Sequence, residues 1–372
     1  MKRYYFDHAA TTPLAEEVLA AMLPFFCEKY ANPSSSHALG RNVVASVDEA
    51  RDALAALFGR KAKELYFTSG GTESDNWAIK GVMHANRDKG RHLLVSAFEH
   101  PAVLETAAFL SREGYEVEYI PATPQGFVDL DALASMVRDD TVLVCVMAAN
   151  NEVGTLQPLR EAAEIAHKKG ALFFTDAVQA VGSVAIPKEA DLFSCSAHKF
   201  YGPKGVGLLC VREGVRIERL LHGGHQERSM RGGTTPSPLV IGLWKAASLA
   251  IDGAEEETSR VRTLRDRFLR GVLSLPNTAL NGDSERRLAS NANVCFYGRR
   301  GEILLDNLDM RGICASTGSA CTSGAVHPSH VLLAMGKKEE AESSIRFSFG
   351  RGNTEKEIDE ALEIIASVVK KK

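Results

Sequence analysis

Ser194-Cys195-Ser196-Ala197-His198-Lys199-Phe200-Tyr201-Gly202-Pro203-Lys204-Gly205 sets one lysine between an apolar, strand-like run and a turn rich in glycine and proline. The run before it is Asp191-Leu192-Phe193-Ser194-Cys195. A lysine at such a junction points into a cleft, where a lowered amine pKa suits Schiff-base chemistry. Upstream, Asp176 ends another apolar run, Ala171-Leu172-Phe173-Phe174-Thr175-Asp176. The two residues together match the needs of pyridoxal phosphate. The lysine bonds to the cofactor, and the aspartate keeps the pyridine nitrogen protonated so that the ring can take up electrons.

Outward from this pair, apolar runs alternate with amphipathic stretches. Strands are predicted at 64–68, 92–97, 117–121, 141–148, 171–177, 191–196 and 206–212, with helices between most of them, as at 101–112, 129–138 and 159–169. That alternation predicts a mainly parallel sheet covered on both faces. Residues 238–275 read as one long helix with a charged middle, Glu255-Glu256-Glu257, long enough to bridge two domains. After it come strands at 291–297, 313–317 and 344–349 and helices at 302–310 and 354–369, an α+β pattern. The expectation is a large α/β/α domain over residues 13–257 and a smaller α+β domain built from 1–12 and 258–372.

The 372 residues are 45% hydrophobic and 24% charged, ordinary for a soluble globular chain. The 44 basic and 47 acidic residues leave a net charge of -3, which argues against nucleic acid as a partner. No apolar run has membrane-spanning length, and no signal peptide is expected, because Met1-Lys2-Arg3 leads straight into Tyr4-Tyr5-Phe6-Asp7. Of seven cysteines, Cys145, Cys195, Cys210 and Cys295 sit in apolar runs, as reduced cysteines do. A cytoplasmic protein is expected.

Several polar groups are predicted at one sheet edge. Thr68-Ser69-Gly70-Gly71-Thr72-Glu73-Ser74-Asp75-Asn76 follows a strand and opens a helix. Its glycines let backbone N–H groups converge on a phosphate, and Thr72 with Asp75 fits a capping box. His100, in Phe98-Glu99-His100-Pro101, follows the 92–97 strand, at the ligand-binding edge of a parallel sheet. There an imidazole can stack on a planar cofactor and exchange protons. Asn150-Asn151-Glu152 and Asp176-Ala177-Val178-Gln179 end two further strands at that edge.

Cys321 lies in Ser316-Thr317-Gly318-Ser319-Ala320-Cys321-Thr322-Ser323-Gly324, among small and polar neighbours that fit an exposed, adaptable loop. A thiol there is a candidate nucleophile. The spacing of Cys314, Cys321, His327 and His330 suits a zinc site poorly, and no metal is expected. Arg346 interrupts the apolar alternation of Ser344-Ile345-Arg346-Phe347-Ser348 and needs a partner, either a substrate carboxylate or a structural salt bridge.

Together these motifs resemble the cysteine desulfurases, pyridoxal-phosphate enzymes of the class V aminotransferase superfamily with fold type I. The resemblance also covers Asp7-His8-Ala9-Ala10-Thr11-Thr12-Pro13, Asn32-Pro33-Ser34 and Arg231-Gly232-Gly233-Thr234. The Ser-Ala-Cys-Thr-Ser loop places the chain with the long-cysteine-loop branch. The resemblance implies that Lys199 bonds to the cofactor and later moves protons, while His100 stacks on the ring and assists. Asp176 would pair with the pyridine nitrogen and Gln179 with the phenolic oxygen. Gly71, Thr72, Ser196 and His198 would bind the phosphate, and Thr234 would reach the phosphate of the other subunit of a homodimer. Asn151 and Arg346 would hold the substrate carboxylate. Cys321 would take sulfur from L-cysteine as a persulfide, releasing L-alanine, for delivery to a protein acceptor such as an iron–sulfur scaffold. The alternative is another pyridoxal-phosphate enzyme of this fold, a transaminase or a selenocysteine/cysteine lyase.

Overall fold

The computed structural model describes residues 2–318 and 328–370. Its strands are β1 (Tyr4–Tyr5), β2 (Leu65–Thr68), β3 (His92–Ser96), β4 (Glu116–Ile120), β5 (Thr141–Cys145), β6 (Leu172–Asp176), β7 (Leu192–Ser196), β8 (Gly207–Val211), β9 (Thr278–Asn281), β10 (Asn291–Phe296), β11 (Ile313–Cys314) and β12 (Ser344–Ser348). Seven of them form the central sheet, in the order β2-β8-β7-β6-β5-β3-β4. β3 to β7 pair in parallel, whereas β8 is antiparallel to both neighbours. β8 follows β7 through the short Gly202–Gly205 turn, and no crossover helix is available to bring the chain back in the parallel sense. The protein is thus α/β with a mainly parallel sheet, as the alternation predicts.

Every residue of β3, β5, β7 and β8 is buried, which is why these strands read as unbroken apolar runs. The two faces take alternate residues. Leu94, Val144, Phe173 and Phe193 join one apolar cluster. Val95, Leu143, Phe174 and Leu192 join the other, with Trp77 and Ile79 of the helix Gly71–Ala85.

A third cluster holds Tyr4, Phe6, Leu264, Phe268, Val294, Phe347 and Ile358. It is built on an antiparallel sheet ordered β12-β10-β9, and β1 pairs in parallel with β11. The first residues of the chain therefore pack with its last third. The stretch 238–275 is two helices, Ser237–Asp252 and Ala254–Val272. Gly253 separates them, and Glu255, Glu256 and Glu257 fill the first turn of the second. Glycine is a poor helix interior, and carboxylates favour a new N-terminus, so the chain restarts there.

Candidate active site

Because β3, β5, β6 and β7 are parallel, the segments leaving them emerge at one edge of the sheet. Lys199 closes the short turn Ala197–Lys199 after β7. Its Nζ donates hydrogen bonds to the carbonyl oxygens of Ala9 and Ala10, each at 2.8 Å. Gln179 Nε2 donates to the same Ala9 oxygen at 3.0 Å. The Thr12 backbone N–H donates to His198 O at 2.9 Å, and the Tyr201 N–H donates to Thr12 Oγ1 at 2.7 Å. The segment Asp7–Thr12 thus folds across the lysine turn.

Asp176 ends β6, is 5% exposed and accepts the Val178 N–H at 2.8 Å. Burial pushes its carboxyl pKa up, against the opposing pull of His100, the Val178 N–H and Lys199. His100 caps the helix Pro101–Arg112, its Nδ1 accepting the Ala102 N–H at 3.1 Å. That contact leaves Nε2 as the nitrogen that exchanges a proton. Burial lowers the imidazole pKa, Asp176 opposes, and Lys199 and His330 lower it further.

The helix Gly71–Ala85 begins directly behind Gly70, its N-cap. A Cβ on Gly71 would lie 2.7 Å from Val178 Cγ2 and 3.8 Å from Ser196 Cβ, so glycine keeps this helix end open beside Ser196. The expected capping box of Thr72 and Asp75 does not form. The helix starts two residues earlier, behind Gly70, so Glu73 takes the capping role and accepts the Ser69 N–H at 2.7 Å. Asp75 is turned under the helix instead, buried, and accepts the Ser194 hydroxyl at 2.5 Å. His198 Nδ1 lies 3.1 Å from Thr11 Oγ1. Its pKa is lowered to about 4, first by burial and then by Lys199, so the ring is neutral at pH 7. Thr234 is exposed and joins none of these contacts. Nearby, Arg231 pairs with Glu73 at 2.9 Å.

Arg346, on β12, is 5% exposed. Its Nη2 lies 2.8 Å from Asp7 Oδ1, and its Nη1 donates to the Asn151 backbone oxygen at 3.1 Å. Its Nε is buried without a hydrogen-bond partner among the described residues. The guanidinium therefore has a structural ion pair and a donor left to offer. Asn151 is half-buried and meets Arg346 through its backbone. Cys321 lies outside the described residues. The part played by the N-terminal segment escapes sequence reasoning: Asp7 supplies the carboxylate for Arg346, and Ala9 and Ala10 supply the oxygens for Lys199. The one signal was the dense motif Asp7-His8-Ala9-Ala10-Thr11-Thr12-Pro13.

The donor set suits pyridoxal phosphate. A carboxyl as buried as Asp176 carries charge at a cost that a protonated ring nitrogen offsets. The side-chain-free helix end at Gly71, with Ser196 beside it, suits a phosphate dianion. An amine stands ready at Lys199 for the cofactor's aldehyde.

Residues 4–361 match the family Aminotransferase class-V. A cysteine desulfurase IscS of Methanosarcina thermophila is 49% identical over 100% of this chain and 93% of its own length. One from Clostridium botulinum is 46% identical over 100% and 95%. A solved NifS-like protein superposes with a TM-score of 0.93 at 38% identity, covering 99% of each chain. A structure of SspA in complex with cysteine gives 0.82 at 32% identity, covering 93% of this chain and 98% of that one. The chain belongs to the aminotransferase class-V family and, within it, to the cysteine desulfurases. Its cofactor is pyridoxal phosphate.

Proposed function

We propose that this chain converts L-cysteine to L-alanine and carries the sulfur as a persulfide on Cys321 to a protein acceptor. The observation that supports this most is the convergence of Lys199, Asp176, His100 and Gln179 at one sheet edge, with Arg346 held nearby by Asp7.

Pyridoxal phosphate, when bound, supplies an electron sink for the substrate's α-carbon. Asp176 holds the ring nitrogen protonated, and Gln179 donates to the phenolic oxygen. Gly71, Thr72, Ser196 and His198 hold the phosphate. Arg346 offers its Nε, unpaired among the described residues, and its guanidinium edge to the substrate carboxylate, with Asn151 alongside. Lys199 takes the proton from the α-carbon, and Lys199 and His100 return protons as alanine forms. The Cys321 thiolate attacks the sulfur of cysteine. The new S–S bond forms as the carbon–sulfur bond breaks; the electron pair stays on carbon, and a proton completes the methyl group of alanine.

The protein acts as a homodimer. Leu19, Leu23, Phe26, Tyr30 and Leu39 are exposed on consecutive segments near the N-terminus, an apolar surface that a second copy would cover. Thr234 then serves the phosphate of the neighbouring subunit. Residues 13–257 form the cofactor-binding domain, and 1–12 with 258–372 the domain that carries Cys321, a division supported by the separate apolar cluster around Phe268 and Phe347. Among the described residues no helix is long and apolar enough to cross a membrane. The relatives' name IscS favours an iron–sulfur scaffold as acceptor, and the free thiols Cys145, Cys195, Cys210 and Cys295 fit a reducing, cytoplasmic setting.

The test is product balance. Holoenzyme given L-cysteine and a reductant should release alanine and sulfide in equal amounts, and Lys199→Ala should release neither. Pyruvate and ammonia in place of alanine would point to a lyase and overturn the reading.

A further inference from the structure

Glu73 is an unexpected residue at a helix end assigned to a phosphate. It stands in the first turn of the helix Gly71–Ala85, two residues beyond Gly71. A carboxylate suits a helix N-terminus, but a phosphate dianion brought to the same turn meets like charge. The fold keeps the carboxylate and covers it. Glu73 Oε2 accepts the Ser69 N–H at 2.7 Å. Arg231 closes on both oxygens: its Nε donates to Oε1 at 2.9 Å and its Nη2 to Oε2 at 3.0 Å. The side chains of Glu73 and Arg231 are 10% and 16% exposed, so solvent and salt screen the pair weakly. Burial raises the Glu73 pKa, but Arg231 and the Ser69 N–H outweigh it and hold the carboxyl below its usual value. Glu73 is therefore ionised at pH 7.

Arg231 comes from far along the chain, and the segment that delivers it is itself fastened. Glu227 is 8% exposed and takes a two-pronged pair from Arg51, at 2.8 and 2.7 Å, together with the Phe67 N–H at 3.0 Å. Arg228 Nη2 donates to the Leu65 oxygen at 2.7 Å. Glu227, Arg228 and Ser229 are all left-handed, with φ of 46°, 56° and 64°. Residues other than glycine adopt such a run only where their surroundings hold it. The segment is thus fixed to β2 through residues 227 and 228, and to the helix that follows β2 through residue 231. Each of the two carboxylates in this arrangement, Glu227 and Glu73, has its own arginine.

We infer that Arg231 is a positioning residue for the cofactor's phosphate: its pair with Glu73 cancels a carboxylate charge that would repel the dianion at the open end of the Gly71 helix. The inference rests on the phosphate lying at Gly71 and Ser196, as proposed above. Two duties meet at one helix end. Glu73 caps the Ser69 N–H and orders the turn between β2 and the helix. Arg231 makes that cap compatible with an anion.

Arg231→Gln should weaken retention of pyridoxal phosphate roughly tenfold, because it uncovers one charge near the dianion. Binding of pyridoxal, which has the aldehyde and ring without the phosphate, should not change. Glu73→Gln keeps an acceptor for the Ser69 N–H and removes the charge, so it should hold pyridoxal phosphate at least as tightly as the parent. The double variant Arg231→Gln/Glu73→Gln should regain the parent's retention. Equilibrium dialysis read by absorbance gives these affinities for both ligands without reference to activity. A purely structural salt bridge predicts a different pattern. Both single variants would lose both ligands in step with a lower urea midpoint, and the double variant would be no better. That pattern would overturn the inference, as would Arg231→Gln with parental retention of pyridoxal phosphate. Should Arg231→Gln fail to fold, Glu73→Gln decides alone: retention at or above the parent's supports the inference, and a loss overturns it. Gly71→Ala, dialysed in parallel, separates the two levels. If it retains pyridoxal phosphate fully, the phosphate lies elsewhere, and both its assignment and the role of Arg231 fall. If it loses the cofactor while Arg231→Gln does not, the role of Arg231 alone falls.

Discussion

Arg346 Nη2 lies 2.8 Å from Asp7 Oδ1, an ion pair that joins the N-terminal segment to the middle of β12. The partner sets the guanidinium in place before substrate arrives and leaves Nε as a buried donor. Removing Arg346 should therefore cost substrate grip and leave Asp7 partly buried without its cation. Arg346→Ala is expected to raise the KM for cysteine by roughly 10²-fold, the equivalent of a few kcal/mol of lost binding. Asp7→Asn should raise it less, because the guanidinium stays but is less firmly oriented. Steady-state kinetics on both variants check this. An unchanged KM in Arg346→Ala would reduce the residue to its salt bridge.

Gly71 carries the second expectation. A methyl group there would press on Val178 Cγ2 and narrow the space beside Ser196. Gly71→Ala should weaken cofactor retention by roughly tenfold with little change in the melting temperature of the cofactor-free protein. Dialysis followed by absorbance reads the retention. Full retention would place the phosphate elsewhere.

The third concerns pH. Glu99 is buried, and burial lifts its carboxyl pKa from 4.5 to about 8. Its folded value is above its unfolded one, so its contribution to stability is full below pH 4.5 and is lost as pH rises to about 8. His8 shows the opposite case: burial lowers it from 6.5 to about 4, so stability is full above pH 6.5 and is lost as pH falls toward 4. Between pH 6.5 and 8 the Glu99 slope stands alone of these two. Urea midpoints of the cofactor-free protein should fall over that interval, and Glu99→Gln, which mimics the neutral acid, should flatten the fall. An equal slope in the variant would contradict the assignment.

The strands were legible because burial on both faces writes them as continuous apolar runs, and the strand ends then located Lys199, Asp176 and His100 at one edge. Less legible was anything set by contact between distant segments. Asp7 and Arg346 are far apart in the chain, and nothing local marks them as a pair. Arg346 was readable as a charge in need of a partner, but not which partner. Gly253 breaks a helix that amphipathic periodicity carries straight through. Thr72 and Asp75 have the spacing of a capping box, but packing on Ser194 draws Asp75 inward and Glu73 caps instead. Gly318 reads as backbone freedom in sequence. In the fold it also makes room for the Glu152 carboxylate.

The most direct test of the central claim is the location of the sulfur. Holoenzyme is given one equivalent of L-cysteine without reductant, alkylated, digested and mapped by mass spectrometry. One additional sulfur atom should appear on the peptide that contains Cys321 and be absent from Cys321→Ala, which should still bind cysteine. Additional sulfur on Cys27, which is exposed, or on half-buried Cys314, with none on Cys321, would contradict the account.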